Sequence, residues 1–125
     1  ADAVAGAIKA KGLKKVALLG TKYTMQLEFY KVKLATHGIS VIIPGDEQVE
    51  FINNSIYNEF SKGIFLPERK LQYLQIIDSL IAQGAEGIIL GCTEIPILIK
   101  QGDCSVPVFD TAFIHAEAAV NFALT

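Results

Sequence analysis

Tryptophan is absent from the 125 residues, and cysteine occurs only twice. Two thiols are too few for a disulfide scaffold and too few for a metal site built from thiolates alone. Charge is scarce as well: 19% of the residues are charged and the formal net charge is −2. Acids and bases are interspersed, so no basic patch offers itself to nucleic acid or to an anionic membrane. Long apolar runs are missing. Stretches such as Ile88-Ile89-Leu90 are far shorter than a bilayer-spanning helix requires. No basic segment followed by an apolar one opens the chain, as a secretory leader would, and its first residue is Ala rather than Met. These features read as a processed or truncated chain that is soluble, intracellular and cytoplasmic. What is plentiful is apolar matter. A hydrophobic fraction of 51% and a mean hydropathy of +0.39 exclude a disordered chain and suffice for one core.

The apolar residues fall in alternating patterns. Ala1 to Lys11 reads as an Ala-rich helix closed by Gly12, and Lys15 to Leu19 as a short strand apolar on both faces, ended by Gly20. Thr21 to Thr36 reads as one helix with Leu27, Tyr30, Val32 and Leu34 as its stripe, ended by His37-Gly38. Ile39 to Ile43 reads as a second buried strand closed by Pro44-Gly45. Asp46 is placed to cap a helix carrying Val49, Ile52, Ile56 and Phe60, stopped at Lys62-Gly63. Pro67 opens the next helix, with Leu71, Leu74, Ile77, Leu80 and Ile81 at helical spacing up to Gly84. Gly87 to Leu90 is a third strand, Glu94 to Lys100 a short helix, Val106 to Phe109 a fourth strand, and Thr111 to Leu124 a closing helix. Such alternation predicts a single α/β domain over residues 1–125: a doubly wound, four-stranded parallel sheet flanked by helices. In such a sheet the ligand site lies beyond the carboxyl ends of the strands. Four strand ends therefore carry the interest: Gly20-Thr21, Pro44-Gly45, Gly91-Cys92-Thr93-Glu94 and Asp110-Thr111.

Cys92 sits between a buried strand and a helix start. Free backbone N–H groups and the positive helix end favour thiolate there, and Gly91 permits a sharp turn and close approach of a ligand. Thr93 and Glu94 fall in the first helical turn, where a hydroxyl and a carboxylate are stabilised, although a carboxylate beside a thiolate raises the thiol pKa. From position alone, a reactive thiolate and an ordinary small buried cysteine both fit. Thr21 and Thr24, three residues apart, either offer hydroxyl and N–H groups to a substrate carboxylate or serve as a plain helix cap. The second and third glycines of a dinucleotide fingerprint are missing, so no nucleotide cofactor is expected.

Three stretches then point to a known family. Gly20-Thr21-Lys22-Tyr23-Thr24-Met25 with Phe29-Tyr30 resembles the opening of the C-terminal half of aspartate/glutamate racemases. Gly87 through Pro96, with Gly91-Cys92-Thr93-Glu94 at its centre, resembles that family's second catalytic-cysteine motif, and Pro107-Val108-Phe109-Asp110-Thr111 with Ile114-His115-Ala116 resembles its closing strand and helix. Asp46 through Gly63, with Ile56-Tyr57-Asn58-Glu59 and Lys62-Gly63, is also similar. Glutamate racemases usually carry His where this chain has Glu94, so the aspartate or broad-specificity branch is the nearer likeness.

The resemblance implies a cofactor-independent amino-acid racemase, with no metal. Two similar α/β domains each contribute a cysteine, one removing the Cα proton and the other returning a proton on the opposite face. Cys92 would be one acid/base. Thr21, Thr24 and Thr93 would meet the substrate carboxylate, and Glu94 would tune the thiol or hold the amino group. The implied partners are a small amino-acid substrate and either the absent N-terminal half or a second copy in a homodimer, with no nucleic acid and no membrane. Since the chain matches one half only, it is expected to be weakly active or inactive alone. Alternatives are a one-cysteine decarboxylase of the same superfamily and a non-catalytic, flavodoxin-like binding domain. The Thr-Glu-Ile-Pro continuation after Cys92 fits racemases better. Cys104 lies in a polar loop and cannot serve as the second thiol. Lys62, His37 and His115 read as surface or helix-end groups, and Tyr23, Tyr30, Tyr57 and Tyr73 as packing.

Overall fold

The first strand, β1 (Lys15–Leu19), is apolar on both faces because the two faces feed different layers. In the computed structural model, which describes residues 2–124, Ala17 and Leu19 belong to one core cluster and Val16 and Leu18 to the other. That is the period of two expected of a strand covered on both sides. The other strands are β2 (Ser40–Ile42), β3 (Ile88–Leu90) and β4 (Val108–Asp110). All pair in parallel, in the order β2-β1-β3-β4. The four-stranded parallel α/β fold is thus the one expected.

The helices are α1 (Asp2–Ala10), α2 (Lys22–Gln26), α3 (Glu28–Ala35), α4 (Asp46–Asn58), α5 (Pro67–Ala82), α6 (Ile95–Leu98) and α7 (Thr111–Leu124). One layer takes Val49, Ile52 and Ile56 of α4, Tyr73, Ile76, Ile77 and Leu80 of α5, and Ile95 and Leu98 of α6. The other takes Val4, Ala5 and Ile8 of α1 and Leu34 of α3. Gly12 and Gly38, both read as helix stops, have φ of 71° and 75°, a region that favours glycine. The helix expected to begin at Ala1 is described from Asp2; Ala1 and Thr125 lie outside the described residues.

Several expectations need correction. The segment Thr21 to Thr36 is two helices, not one. The chain breaks at Leu27, whose backbone is extended (φ −73°, ψ 130°). The reason is the layering: Met25 is buried in one core cluster and Leu34 in the other, and one straight helix cannot supply both. Leu27 and Val32, read as part of a buried stripe, are consequently exposed. On α5 the buried stripe runs through Tyr73, Ile76, Ile77 and Leu80, while Leu71 faces solvent. Strand β2 is not fully buried, because the strand order puts it at an edge; Ser40 is exposed and Val41 and Ile42 are half-buried. Asp46 is the first residue of α4 rather than its cap. Gly45 holds the cap position, and its N–H donates to Gln48 Oε1 at 3.2 Å.

The last helix before β4 is shorter than its pattern suggests. α6 covers Ile95–Leu98 only, and a 3₁₀ turn follows at Gln101–Asp103. Strand β4 begins at Val108 rather than Val106. Gln101 supplies part of the missing edge: its Nε2 donates to the Val106 carbonyl at 2.9 Å and its Oε1 accepts from the Val108 N–H at 2.8 Å. Among the described residues, no helix is long and apolar enough to cross a membrane.

The strand entry to β3 is tight. A Cβ on Gly87 would sit 2.9 Å from both Leu13 Cδ1 and Phe109 Cε2, and 3.3 Å from the Pro107 carbonyl oxygen. Gly87→Ala is therefore expected to destabilise the fold by about 1–3 kcal/mol through overpacking, read as a lower urea midpoint at unchanged slope; an unchanged midpoint would contradict this packing.

Candidate active site

The order β2-β1-β3-β4 means that the chain leaves β1 toward one side for β2 and then returns to the other side for β3. The crevice between the carboxyl ends of β1 and β3 is thus the switch point at which ligands bind in open α/β sheets. Its walls are Gly20 to Thr24 and Gly91 to Glu94. The two walls are stitched together by backbone. The Gly91 N–H donates to the Leu19 carbonyl at 2.7 Å, extending the pairing one residue past β3. A Cβ on Gly91 would lie 3.1 Å from that carbonyl oxygen and 3.3 Å from Thr24 Cγ2, and one on Gly20 would lie 3.3 Å from the same methyl. Glycine at both positions lets Thr24 seat across the two strand ends.

Thr21 caps α2. Its Oγ1 accepts from the Thr24 N–H at 3.2 Å and donates to Thr24 Oγ1 at 3.1 Å. The plain capping role therefore holds, and it also locks the two hydroxyls beside each other at the crevice. The Lys22 N–H donates to Asn53 Oδ1 at 2.7 Å, and Lys22 forms an ion pair with Glu50, so α4 braces this wall from outside.

Cys92 is half-buried, with its side chain packed against the larger core cluster. Its sulfur accepts the Ile95 N–H at 3.4 Å and also the Glu94 N–H. Thr93 is exposed and Glu94 half-buried at the cap of α6. Burial raises the Cys92 pKa above the ordinary thiol value; the two N–H groups pull it down, and the Glu94 carboxylate pushes it further up. The expected lowering by a helix end is thus outweighed. α6 has four residues, so what acts on the sulfur is two local N–H dipoles rather than the summed field of a long helix.

Two contacts at this edge escaped the sequence reading. The Thr111 hydroxyl, at the start of α7, donates to the Leu90 carbonyl at 3.2 Å and also bonds the Tyr30 hydroxyl. It anchors the last residue of β3, two before Cys92. A threonine directly after a strand was the available signal. Tyr73 is fully buried, as packing requires, and its hydroxyl pairs with Ser55 Oγ. Its phenol also lies within electrostatic reach of Cys92, and burial holds it well above the ordinary tyrosine value.

Cys104 precedes β4 and is half-buried against the core, at the opposite edge from the carboxyl ends. Lys62 and His115 are exposed, and His37 lies 3.5 Å from Asp2. Among the described residues, no group of three or more His, Cys, Asp and Glu is arranged to hold a metal ion.

In a Cys104→Ser background, the pH profile of iodoacetamide alkylation should place the Cys92 midpoint above the unperturbed thiol value of about 8.5. Glu94→Gln removes a negative charge beside the thiolate, so the midpoint should fall and alkylation at pH 8 should quicken. An unmoved midpoint would show that the carboxylate does not act on the sulfur.

Comparison with known proteins places these features in context. The Asp/Glu/hydantoin racemase family model matches residues 1–119. A candidate Asp/Glu racemase from Yersinia pestis superposes with a TM-score of 0.95 at 49% identity, over 100% of this chain and 55% of its own. An aspartate racemase homologue from Pyrococcus horikoshii superposes with a TM-score of 0.91 at 44% identity, over 99% of this chain and 54% of its own. An uncharacterized protein from the region 3′ of pnlA in Pectobacterium carotovorum is 34% identical over 100 residues, which is 80% of this chain and 65% of that protein. The chain thus spans about half the length of the solved relatives and less than two thirds of the curated one.

Proposed function

Since the chain belongs to the Asp/Glu/hydantoin racemase family, we propose that it supplies one catalytic half of a cofactor-independent amino-acid racemase, with Cys92 as an acid/base. The observation that carries this reading is that Cys92 follows β3 and the hydrogen-bonded Thr21 and Thr24 follow β1 at the β1/β3 switch point, where the Gly91 N–H to Leu19 carbonyl bond holds the two strand ends together. The substrate proposed is an acidic amino acid, aspartate or glutamate. Neither a one-cysteine decarboxylase nor a non-catalytic binding domain is favoured by the likenesses found.

The Cα–H of an amino acid is a very weak acid, so the base must be held in place and the developing charge must be met by fixed donors. In this reading, the Cys92 thiolate removes the Cα proton and becomes a thiol. The electron pair left on carbon delocalises into the substrate carboxylate, which Thr21, Thr24 and Thr93 face with hydroxyl and N–H groups. A second thiol on the opposite face gives its proton to Cα and becomes a thiolate, so the reaction is balanced with no oxidant or reductant. Glu94 keeps Cys92 protonated in the resting half, or receives the substrate ammonium. The second thiol comes from the half of the relatives' length that this chain does not cover, or from a second copy in a homodimer that sets two Cys92 side chains face to face.

One base on one face has a distinctive signature. A single thiol can exchange the Cα proton with solvent and return deuterium to the same side. The chain alone should therefore exchange the Cα hydrogen of L-aspartate or L-glutamate in deuterated water slowly and with retention, as read by proton NMR and chiral chromatography. Cys92→Ser should abolish the exchange. Exchange that persists in Cys92→Ser would remove this residue from the mechanism.

A further inference from the structure

Buried polar residues are scarce: among the described residues they are Ser55 and Thr111. A hydroxyl is buried at a cost unless it is bonded. Ser55 pairs with the Tyr73 hydroxyl. Thr111 lies at a junction. β4 ends at Asp110, opposite Leu90, and the chain turns there into α7. Asp110 Oδ1 accepts the Phe113 N–H at 3.2 Å, which fixes the turn. The Thr111 hydroxyl then donates to the Leu90 carbonyl at 3.2 Å. Its one proton is spent on that bond, so toward Tyr30 it accepts. The order is therefore Tyr30 hydroxyl to Thr111 hydroxyl to Leu90 carbonyl, a chain in which the first bond strengthens the second.

The Leu90 carbonyl shares one peptide plane with the Gly91 N–H. That N–H donates to the Leu19 carbonyl at 2.7 Å. The plane is thus gripped at both ends, by β1 on one side and by Thr111 on the other, and Cys92 follows directly. A Cβ at position 91 would sit 3.1 Å from the Leu19 oxygen and 3.2 Å from Leu18 Cδ1, so the turn is made with glycine, which gives it little stiffness of its own. The direction in which the thiol leaves the sheet must then come from the grip on the plane before it. We propose that Thr111, oriented by Tyr30, is a positioning residue for Cys92: by fixing the Leu90–Gly91 peptide it holds the sulfur against the Ile95 N–H, 3.4 Å away. Its bearing on turnover rests on the acid/base reading of Cys92 given above.

The test compares Thr111→Val and Thr111→Ser with the unaltered residue, all in a Cys104→Ser background. It reads the pH profile of Cys92 alkylation and, over the same pH range, the Ile95 amide in ¹H–¹⁵N spectra. The other titratable groups within reach of the sulfur, Glu94 beside it and Tyr73 from α5, are kept. With Thr111 in place, the Ile95 amide should follow the ionisation of the sulfur it bonds. In Thr111→Val the sulfur leaves that N–H, which favours the thiolate. The midpoint should therefore rise, alkylation at pH 8 should slow about threefold, and the Ile95 amide should lose most of its pH-dependent shift. Thr111→Ser keeps the hydroxyl and should restore both. If Thr111→Val does not fold, Tyr30→Phe is read in its place, with the same signs and a smaller change. A midpoint and an Ile95 amide that stay unmoved would overturn the proposal, and so would a midpoint that falls. Exchange of the Cα hydrogen of L-aspartate is followed in the same proteins. A raised midpoint with no exchange in any of them leaves the positioning standing and removes the acid/base reading; exchange that needs Cys92, with an unmoved midpoint, does the reverse.

Discussion

Everything at the candidate site depends on parallel pairing between β1 and β3. The Gly91 N–H to Leu19 carbonyl bond carries that pairing past the end of β3, so the two strand ends leave the sheet side by side. A Cβ on either Gly20 or Gly91 would sit 3.3 Å from Thr24 Cγ2, so that methyl lies beside both strand ends. A residue with a side chain at position 91 would push these walls apart. Thr111 extends the same arrangement on the other side by fastening β4 to the Leu90 carbonyl. The site is thus a property of strand order and strand ends, with the helices acting as braces.

The electrostatics of the crevice weigh against a resting thiolate. Cys92 is buried enough to disfavour the thiolate, and Glu94 adds to that, while only two N–H groups oppose them. In the proposed racemase mechanism such a protonated thiol is the acid, and a positive charge brought beside it would favour the thiolate base. A substrate ammonium beside Glu94 would supply such a charge and relieve the carboxylate's effect. Closure by a second half would also exclude water and strengthen each of these interactions.

Much of this was legible in the order of residues. The period-two alternation of Val16, Ala17, Leu18 and Leu19 marks a strand with two covered faces, and the strand–Gly–Cys–Thr–Glu turn marks the candidate site. The family likeness rests on the same short segments. What the local pattern does not carry is which layer each segment serves. Met25 and Leu34 lie in one stretch that reads as a single helix but belong to core clusters on opposite faces of the sheet, so the break at Leu27 becomes visible only in three dimensions. Strand order is equally non-local, which is why β2 reads as buried although it lies at an edge. The Thr111 and Gln101 bonds close gaps at strand ends, over sequence separations of 21 residues in one case and 5 and 7 in the other. The thiol's raised pKa is the balance of burial against two N–H groups, and residue types alone do not give that balance.

Substrate binding at the β1/β3 switch point, as proposed, is tested most directly by a ¹H–¹⁵N correlation spectrum of the chain titrated with L-aspartate and L-glutamate. The amides of Thr21, Thr24, Gly91, Thr93 and Glu94 should shift together along one saturating curve. Shifts that instead gather around Phe51, Asn58 and Arg69, in the depression between α4 and α5, with the strand ends unmoved, would contradict it.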